Sequence, residues 1–257
     1  MVMNHQCKSR WRAFSVAIVF LTFSIPLMAA EPVVVGVVHR ENFAYANMMR
    51  TAYEMALEEI NAAGGINGRP LALEFADDRG DAKVGELAIS ELALEKKAVM
   101  LVGGYSSSNT LEMAYAADRL DIPFLVCTAA DDRITQHGLK NIYRLNPPAL
   151  EYTKGLEEFL LSRVKPESMS IVYENSPFGT GSAMRMMWFC RENGITITAI
   201  QPYFKNRATL DYFHRLLIPI QKDAPDVLFM VSYLEDAILL VKKIGELQIK
   251  SLLCGGA

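Results

Sequence analysis

One pattern constrains the fold of this chain more than any other. Short apolar runs alternate with amphipathic stretches from residue 33 onward. Val33-Val34-Val35-Gly36-Val37-Val38 opens the series. A continuous apolar run of this kind reads as a central parallel strand, covered on both faces. Similar runs follow at 71–75, 99–102, 121–126, 141–145, 169–173, 195–200, 226–231 and 250–254. Pro123 suits the entry of its strand, not its middle. The spacing predicts helices at about 48–63, 83–97, 111–120, 152–164, 182–193, 209–217 and 235–247. In the first, Ala52, Ala56, Ile60 and Ala63 form the apolar stripe. In the second, Val84, Leu87, Ala88 and Leu92 face inward. Gly64 fits a left-handed cap, and Pro219 closes the helix before it. Alternation on this scale predicts an α/β fold with parallel sheets flanked by helices. Asn146-Pro147-Pro148 interrupts the series, so two lobes of similar winding are expected, 31–146 and 147–257.

Composition and charge narrow the function classes. The 257 residues are 51% apolar and 21% charged, a globular balance with length for one large or two modest domains. The net charge of −3, without a basic block beyond the first dozen residues, gives no footprint for nucleic acid. Lys8, Arg10 and Arg12 precede an apolar run at 13–30 that Pro26 breaks and Ala29-Ala30 ends. These are the parts of a secretory signal peptide, although Met28 stands where a small residue is usual. The run falls short of the ~20 clean apolar residues that span a bilayer, so cleavage near Ala30 is expected rather than an uncleaved anchor. Cleavage removes three of the 26 basic residues and none of the 29 acidic ones, leaving 23 against 29, or −6. Cys7 leaves with this leader. Cys127, Cys190 and Cys254 are too widely spaced for a disulfide framework and read as buried free thiols. His39, His137 and His214 are also far apart, so neither a metal nor another cofactor is expected.

The stretch Val99-Met100-Leu101-Val102-Gly103-Gly104-Tyr105-Ser106-Ser107-Ser108-Asn109-Thr110 carries the strongest functional signal. Strand, glycine turn and Ser-capped helix place free backbone N–H groups and a positive helix end at the carboxyl edge of a sheet. In open α/β sheets that edge binds ligands. A carboxylate or phosphate suits the position; a helix cap without a ligand is the other reading. Asp77-Asp78-Arg79-Gly80-Asp81 lacks calcium-loop spacing and reads as a turn with an Asp cap for the next helix. A P-loop is absent, and the first strand exits at His39-Arg40-Glu41 rather than in a dinucleotide-binding glycine turn. Gly104-Tyr105-Ser106-Ser107-Ser108 lacks the last glycine of a nucleophile elbow. A hydrolase built on Ser107, His137 and Asp131 requires those groups to converge, and ranks below binding without chemistry.

Together these features resemble the leucine/isoleucine/valine-binding family of periplasmic ABC-transporter receptors, with the type I solute-binding fold. The resemblance rests on Glu59-Ile60-Asn61-Ala62-Ala63-Gly64-Gly65-Ile66-Asn67-Gly68, on Asp77-Asp78 and on Gly103 with Ser106-Ser107-Ser108. Thr128-Ala129-Ala130 and Val164-Lys165-Pro166 before Ser170-Ile171-Val172 extend it. Each piece is short; their order and spacing carry the likeness.

The resemblance implies two α/β lobes that close on a small solute without changing it. The expected protein is a periplasmic, monomeric component of an ABC importer, partnered by an inner-membrane permease. Its solute is a branched-chain amino acid or a related small amino acid, amide or carboxylate. Ser107 matches the hydroxyl that binds the solute carboxylate, together with backbone N–H groups near it, and Tyr105, Ser106 and Ala130 flank that position. Ala129 matches a backbone contact, and Tyr45 an aromatic in the first loop. Phe178 and Tyr233 match groups of the second lobe that come down at closure. Asp131 falls where relatives carry Thr or Ser beside the solute ammonium. The acidic residue that completes that site in the second lobe falls near Gly256 and is missing here. Asp131 either supplies the charge or caps the following helix. His39-Arg40 replaces a common Ser-Gly, and Arg40 points to a more acidic solute. Family chains continue beyond this point and return to the first lobe. The resemblance therefore implies a fold incomplete at its C-terminus, and weak stability and binding for the 257 residues alone. A receptor sensor domain anchored through residues 13–30 is the alternative, and a serine hydrolase the more distant one.

Overall fold

The computed structural model describes residues 30–136 and 138–256. The expected leader up to Ala29, with Cys7, and His137 lie outside the described residues.

Five strands form the first sheet: β1 Val33–His39, β2 Leu71–Asp77, β3 Met100–Gly103, β4 Phe124–Val126 and β5 Ile142–Arg144. Four form the second: β6 Ser168–Glu174, β7 Thr196–Tyr203, β8 Val227–Val231 and β9 Leu252–Gly256. The orders are β2-β1-β3-β4-β5 and β7-β6-β8-β9, and every pairing is parallel. Val37 stands opposite Phe75 and Val102, and Ile171 opposite Ile200 and Phe229. In each sheet the order reverses beside its first strand. Connections leaving the carboxyl ends of β1 and β3, or of β6 and β8, turn to opposite faces. The loops part there and leave a crevice.

The helices are α1 Ala46–Ala62, α2 Ala82–Ser90, α3 Ser107–Arg119, α4 Arg133–Gln136, α5 Lys154–Phe159, α6 Pro177–Glu192, α7 Leu210–Asp223 and α8 Leu234–Glu246. Several differ from the sequence reading for identifiable reasons. α6 begins before residue 182 because Ser176 caps it, accepting the Gly179 N–H, and Pro177 at the first helical position needs no N–H of its own. α7 continues through Pro219 to Asp223. Pro219 lies on the exposed side, while Phe213, Leu216, Leu217 and Ile220 are buried on the other. Burying that stripe outweighs one lost backbone bond. The expected helix at 152–164 is instead a 3-10 turn, α5 and a π turn at Leu160–Val164, closed by Lys165 at φ 53. In α2, Gly85, Ala88 and Ile89 face inward with Leu92 beyond, and Leu87 is 69% exposed. On α1, Ala52, Ala56 and Ala63 are exposed, whereas Met49, Tyr53, Leu57 and Ile60 are half-buried. Tyr53 meets Phe75 edge-on at 6.3 Å. Larger side chains remove more apolar area from water, so the helix rolls toward them rather than toward its alanines.

Three cores hold the elements. Leu101, Phe124 and Val126 pack against Ile89 and Leu92, and Met113 and Ala117 of α3. Ile171 and Phe229 pack on Met186, Phe189 and Cys190 of α6. Val172, Leu228 and Met230 pack on Phe213 and Leu217 of α7 and Leu240 and Ile244 of α8. The second sheet is thus covered on both faces. Cys127, Cys190 and Cys254 are free thiols, the last two buried. Among the described residues, no helix is long and apolar enough to cross a membrane.

Candidate functional site

The loop after β3 is built on two glycines. Gly103 has φ +132, and a Cβ there would stand 2.0 Å from the Val38 carbonyl oxygen. Gly104 has φ +82, and a Cβ there would press on Thr110 Cγ2 at 2.7 Å. Only glycine meets both demands. The turn is tied to the loop after β4. Cys127 N–H donates to Gly103 O at 2.8 Å, Ala129 N–H to Gly104 O at 3.1 Å, and Thr128 Oγ1 to the same carbonyl at 2.8 Å.

α3 starts directly after this turn. Ser106 is its N-cap residue but makes no side-chain cap bond. Ser107 is 2% exposed, and its Oγ accepts the N–H groups of Ala130 at 3.1 Å and Asp131 at 3.2 Å. A hydroxyl has two acceptor lone pairs and one proton. With both lone pairs engaged, the Ser107 O–H is left as a donor, beside the positive end of α3.

That donor lines a cavity of about 460 Å³ at the carboxyl edges of the two sheets. Six of the nine expected site residues line it: Tyr45, Tyr105, Ser107 and Ala130 from the first sheet's loops, Phe178 and Tyr233 from the second's. Ser106, Ala129 and Asp131 do not. The rings form one band. Tyr45 and Tyr105 lie 6.2 Å apart between centroids, Tyr105 and Tyr233 5.8 Å, Tyr233 and Phe178 5.3 Å, and Phe178 and Tyr152 6.2 Å. Burial pushes the Tyr105 phenol up to about 12, with Tyr45 and Glu235 adding to the shift. Burial moves Tyr233 upward too, helped by Glu174 and Tyr105. Both phenols are therefore neutral near pH 7.

Of the two roles expected for Asp131, the contacts of its carboxylate form the helix cap. Its carboxylate accepts from Arg133 N at 3.0 Å, Nε at 3.1 Å and Nη2 at 2.7 Å, and its carbonyl accepts from Arg144 Nη2 at 2.6 Å. Asp131 therefore holds the start of α4 and pairs with Arg133. Asp81 caps α2 as expected, accepting from Lys83 N and Val84 N. Among the described residues, no group of three or more His, Cys, Asp or Glu side chains is placed to hold a metal.

The sequence reading missed Met48, Met49, Asn146, Tyr152 and Ser232, which also line the cavity. Asn146 Nδ2 donates to Thr128 O at 2.6 Å and contacts Tyr152 Oη, joining the linker to the site. Thr128 lies in a motif already singled out and Ser232 at the exit of the strand at 226–231, so their places were open to the sequence; Tyr152 carries no such signal. Behind Ser232, Glu174 and Asp236 are buried at the edge of the second sheet. Burial raises both carboxyls, the charge of Asp236 raises Glu174 further and that of Glu235 raises Asp236, and Lys205 pulls both down.

Comparison with known proteins follows the same lines. A family profile described as periplasmic binding protein matches residues 39–254. Leu/Ile/Val-binding protein homolog 7 of Brucella abortus is 28% identical over 204 residues, covering 75% of this chain and 49% of the relative. The chain spans about half the length of the curated relatives it matches. Among solved structures, the branched-chain amino acid substrate-binding protein LivJ of Streptococcus pneumoniae, in complex with isoleucine, aligns with TM-score 0.78 at 18% identity, over 88% of this chain and 64% of that one. A solute-binding protein of an ABC transporter from R. palustris, in complex with 4-hydroxybenzoate, aligns with TM-score 0.76 at 16% identity, over 88% and 61%. By their names these are binding proteins, not enzymes. Two parallel sheets meeting at a ring-lined cavity, and a profile match over nearly all of them, lead to one conclusion: the chain belongs to the periplasmic binding protein family.

Proposed function

We propose that this protein is the exported solute-binding component of an ABC importer, and that its solute is a small carboxylate with an apolar or aromatic body. In this reading residues 1–30 are a cleaved leader. Residues 31–146 and 147–257 serve as lobes that close on the solute, and a monomer delivers it from the periplasm to an inner-membrane permease.

The observation that carries the ligand reading is the Ser107 hydroxyl, a donor held in place by two backbone N–H groups. A helix N-terminus contributes only ~0.3–1 kcal/mol toward an exposed anion. Micromolar affinity needs about 8 kcal/mol, and a hydrogen bond to a charged group supplies roughly 1.5–3. Several donors must therefore act on the carboxylate away from water. Tyr45, Tyr105, Phe178 and Tyr233 supply the enclosing surface. Ala130 and Asp131 act in this account by holding Ser107 through their N–H groups, and Ser106 and Ala129 by shaping the two loops that position it.

The fold-level neighbour in complex with 4-hydroxybenzoate supports an acid without an ammonium. A branched-chain amino acid is the second reading, favoured by the relatives' names and by the neighbour in complex with isoleucine. Thermal shift and calorimetry against benzoate, 4-hydroxybenzoate, hexanoate, leucine, isoleucine and benzamide separate the two. Benzoate or hexanoate is expected to raise the Tm, and benzamide is not. Binding of leucine alone supports the second reading. Binding of benzamide as tight as benzoate, or full retention of affinity in Ser107→Ala, refutes the carboxylate account.

A further inference from the structure

A second cavity, of about 250 Å³, adjoins the first. Arg40 and Lys205 line it with Phe43 and Glu235, and Tyr105 and Tyr233 border both cavities. The two cations come from opposite sheets: Arg40 follows β1 and Lys205 follows β7. Arg40 Cζ lies 6.0 Å from the Phe43 ring centroid, and Lys205 Nζ lies 5.0 Å from that of Tyr233. Each is steadied by an aromatic face. Neither forms an ion pair or hydrogen bond among the described residues. Glu235 is exposed and is the single carboxylate on a cavity with two cations.

We infer that the solute carries a second acidic group, seated between Arg40 and Lys205. The inference rests on the carboxylate reading above and extends it: the solute is an elongated diacid. One end meets the Ser107 hydroxyl, and the apolar or aromatic body passes between Tyr105 and Tyr233. These rings are half-buried and border both cavities. A guanidinium grips a planar carboxylate through two parallel bonds, and an ammonium adds a point charge from the facing sheet. The second acidic group thereby touches both halves of the molecule, so it favours the state in which they are together.

Calorimetry on the purified protein tests this with matched acids. The monoacids run from hexanoate to nonanoate with benzoate, and the diacids from adipate to azelate with terephthalate. At least one diacid is expected to bind about tenfold or more tightly than its monoacid, the factor that one charge-assisted bond supplies. Arg40→Met and Lys205→Met are expected to erase that advantage and leave monoacid affinity unchanged. Ser107→Ala is expected to weaken both classes. Monoacids binding better than every diacid, or Arg40→Met weakening both classes equally, overturns the inference while leaving the carboxylate reading intact. Binding of neither class by the native protein overturns both.

Discussion

The Oγ of Ser107 accepts the backbone N–H of Ala130 at 3.1 Å and so fastens the start of α3 to the loop after β4. The Asp131 N–H, at 3.2 Å, shares the same oxygen. Structure and binding thus pass through one atom. Ser107→Ala is expected to lower the unfolding free energy by about 2 kcal/mol, because two buried donors lose their partner. It is also expected to weaken carboxylate binding about tenfold or more. Urea denaturation and calorimetry on one sample read the two effects. An unchanged denaturation midpoint would show that the donors find other partners.

Asp131 behaves differently. Its carboxylate is committed to Arg133, whose side chain is half exposed, so the ion pair itself contributes little. The bond to the Arg133 N–H is the larger part. Asp131→Ala is expected to cost about 1 kcal/mol of stability, the usual value of a lost cap. Solute affinity is expected to stay within about threefold, which is about 0.65 kcal/mol. Complete loss of binding in a folded variant would return Asp131 to the ligand site.

Gly179, in the first turn of α6, faces the end of β6 at closest range. A Cβ there would stand 1.9 Å from the Glu174 carbonyl oxygen. That oxygen belongs to the backbone and cannot rotate away. Gly179→Ala is expected to destabilise by about 3 kcal/mol, the upper range for overpacking, and to move Phe178 out of the cavity. Chemical denaturation checks the first effect, and loss of solute affinity in the surviving folded fraction checks the second.

Asp236 predicts a pH dependence of definite sign. Its folded carboxyl titrates above the ordinary range because burial disfavours the anion, despite Lys205 nearby. The unfolded chain therefore ionises first as pH rises, and stability falls through the window from the ordinary Asp value to the raised one. Above that window the loss is complete. Below the ordinary value both states are protonated and the penalty vanishes. Asp236→Asn is expected to raise the Tm at pH 8 and to have a smaller effect at pH 4. Glu174 has the same sign. A larger gain at pH 4 than at pH 8 would contradict the assignment.

The alternation of apolar runs and amphipathic stretches carried the fold class, because parallel strands covered on both faces must be continuously apolar. The Gly103-Gly104 turn was legible for a similar local reason: its backbone angles admit no other residue. Helix phase was less so. Alanines on α1 matched the period as well as Tyr53, Leu57 and Ile60, and only the sheet decided between them. Pro219 misled because its backbone rule is local, whereas the stripe that holds α7 is not.

The site divides in the same way. Ser107, Tyr45 and Phe178 sit beside strand ends that periodicity locates, so their loops were legible. The occupation of Asp131 by Arg133 was not, since a carboxylate followed two residues later by an arginine reads equally as a cap or a free charge. Sequence alone determined which loops lie at the carboxyl edges, because in a parallel sheet every strand ends on the same side, so the segment after each apolar run lies there. Tertiary structure alone decided that Tyr105 meets Tyr233, and that Arg40 and Lys205 share one cavity. Those pairs lie far apart in the chain, and only the packing of one sheet's loops against the other's brings them within reach.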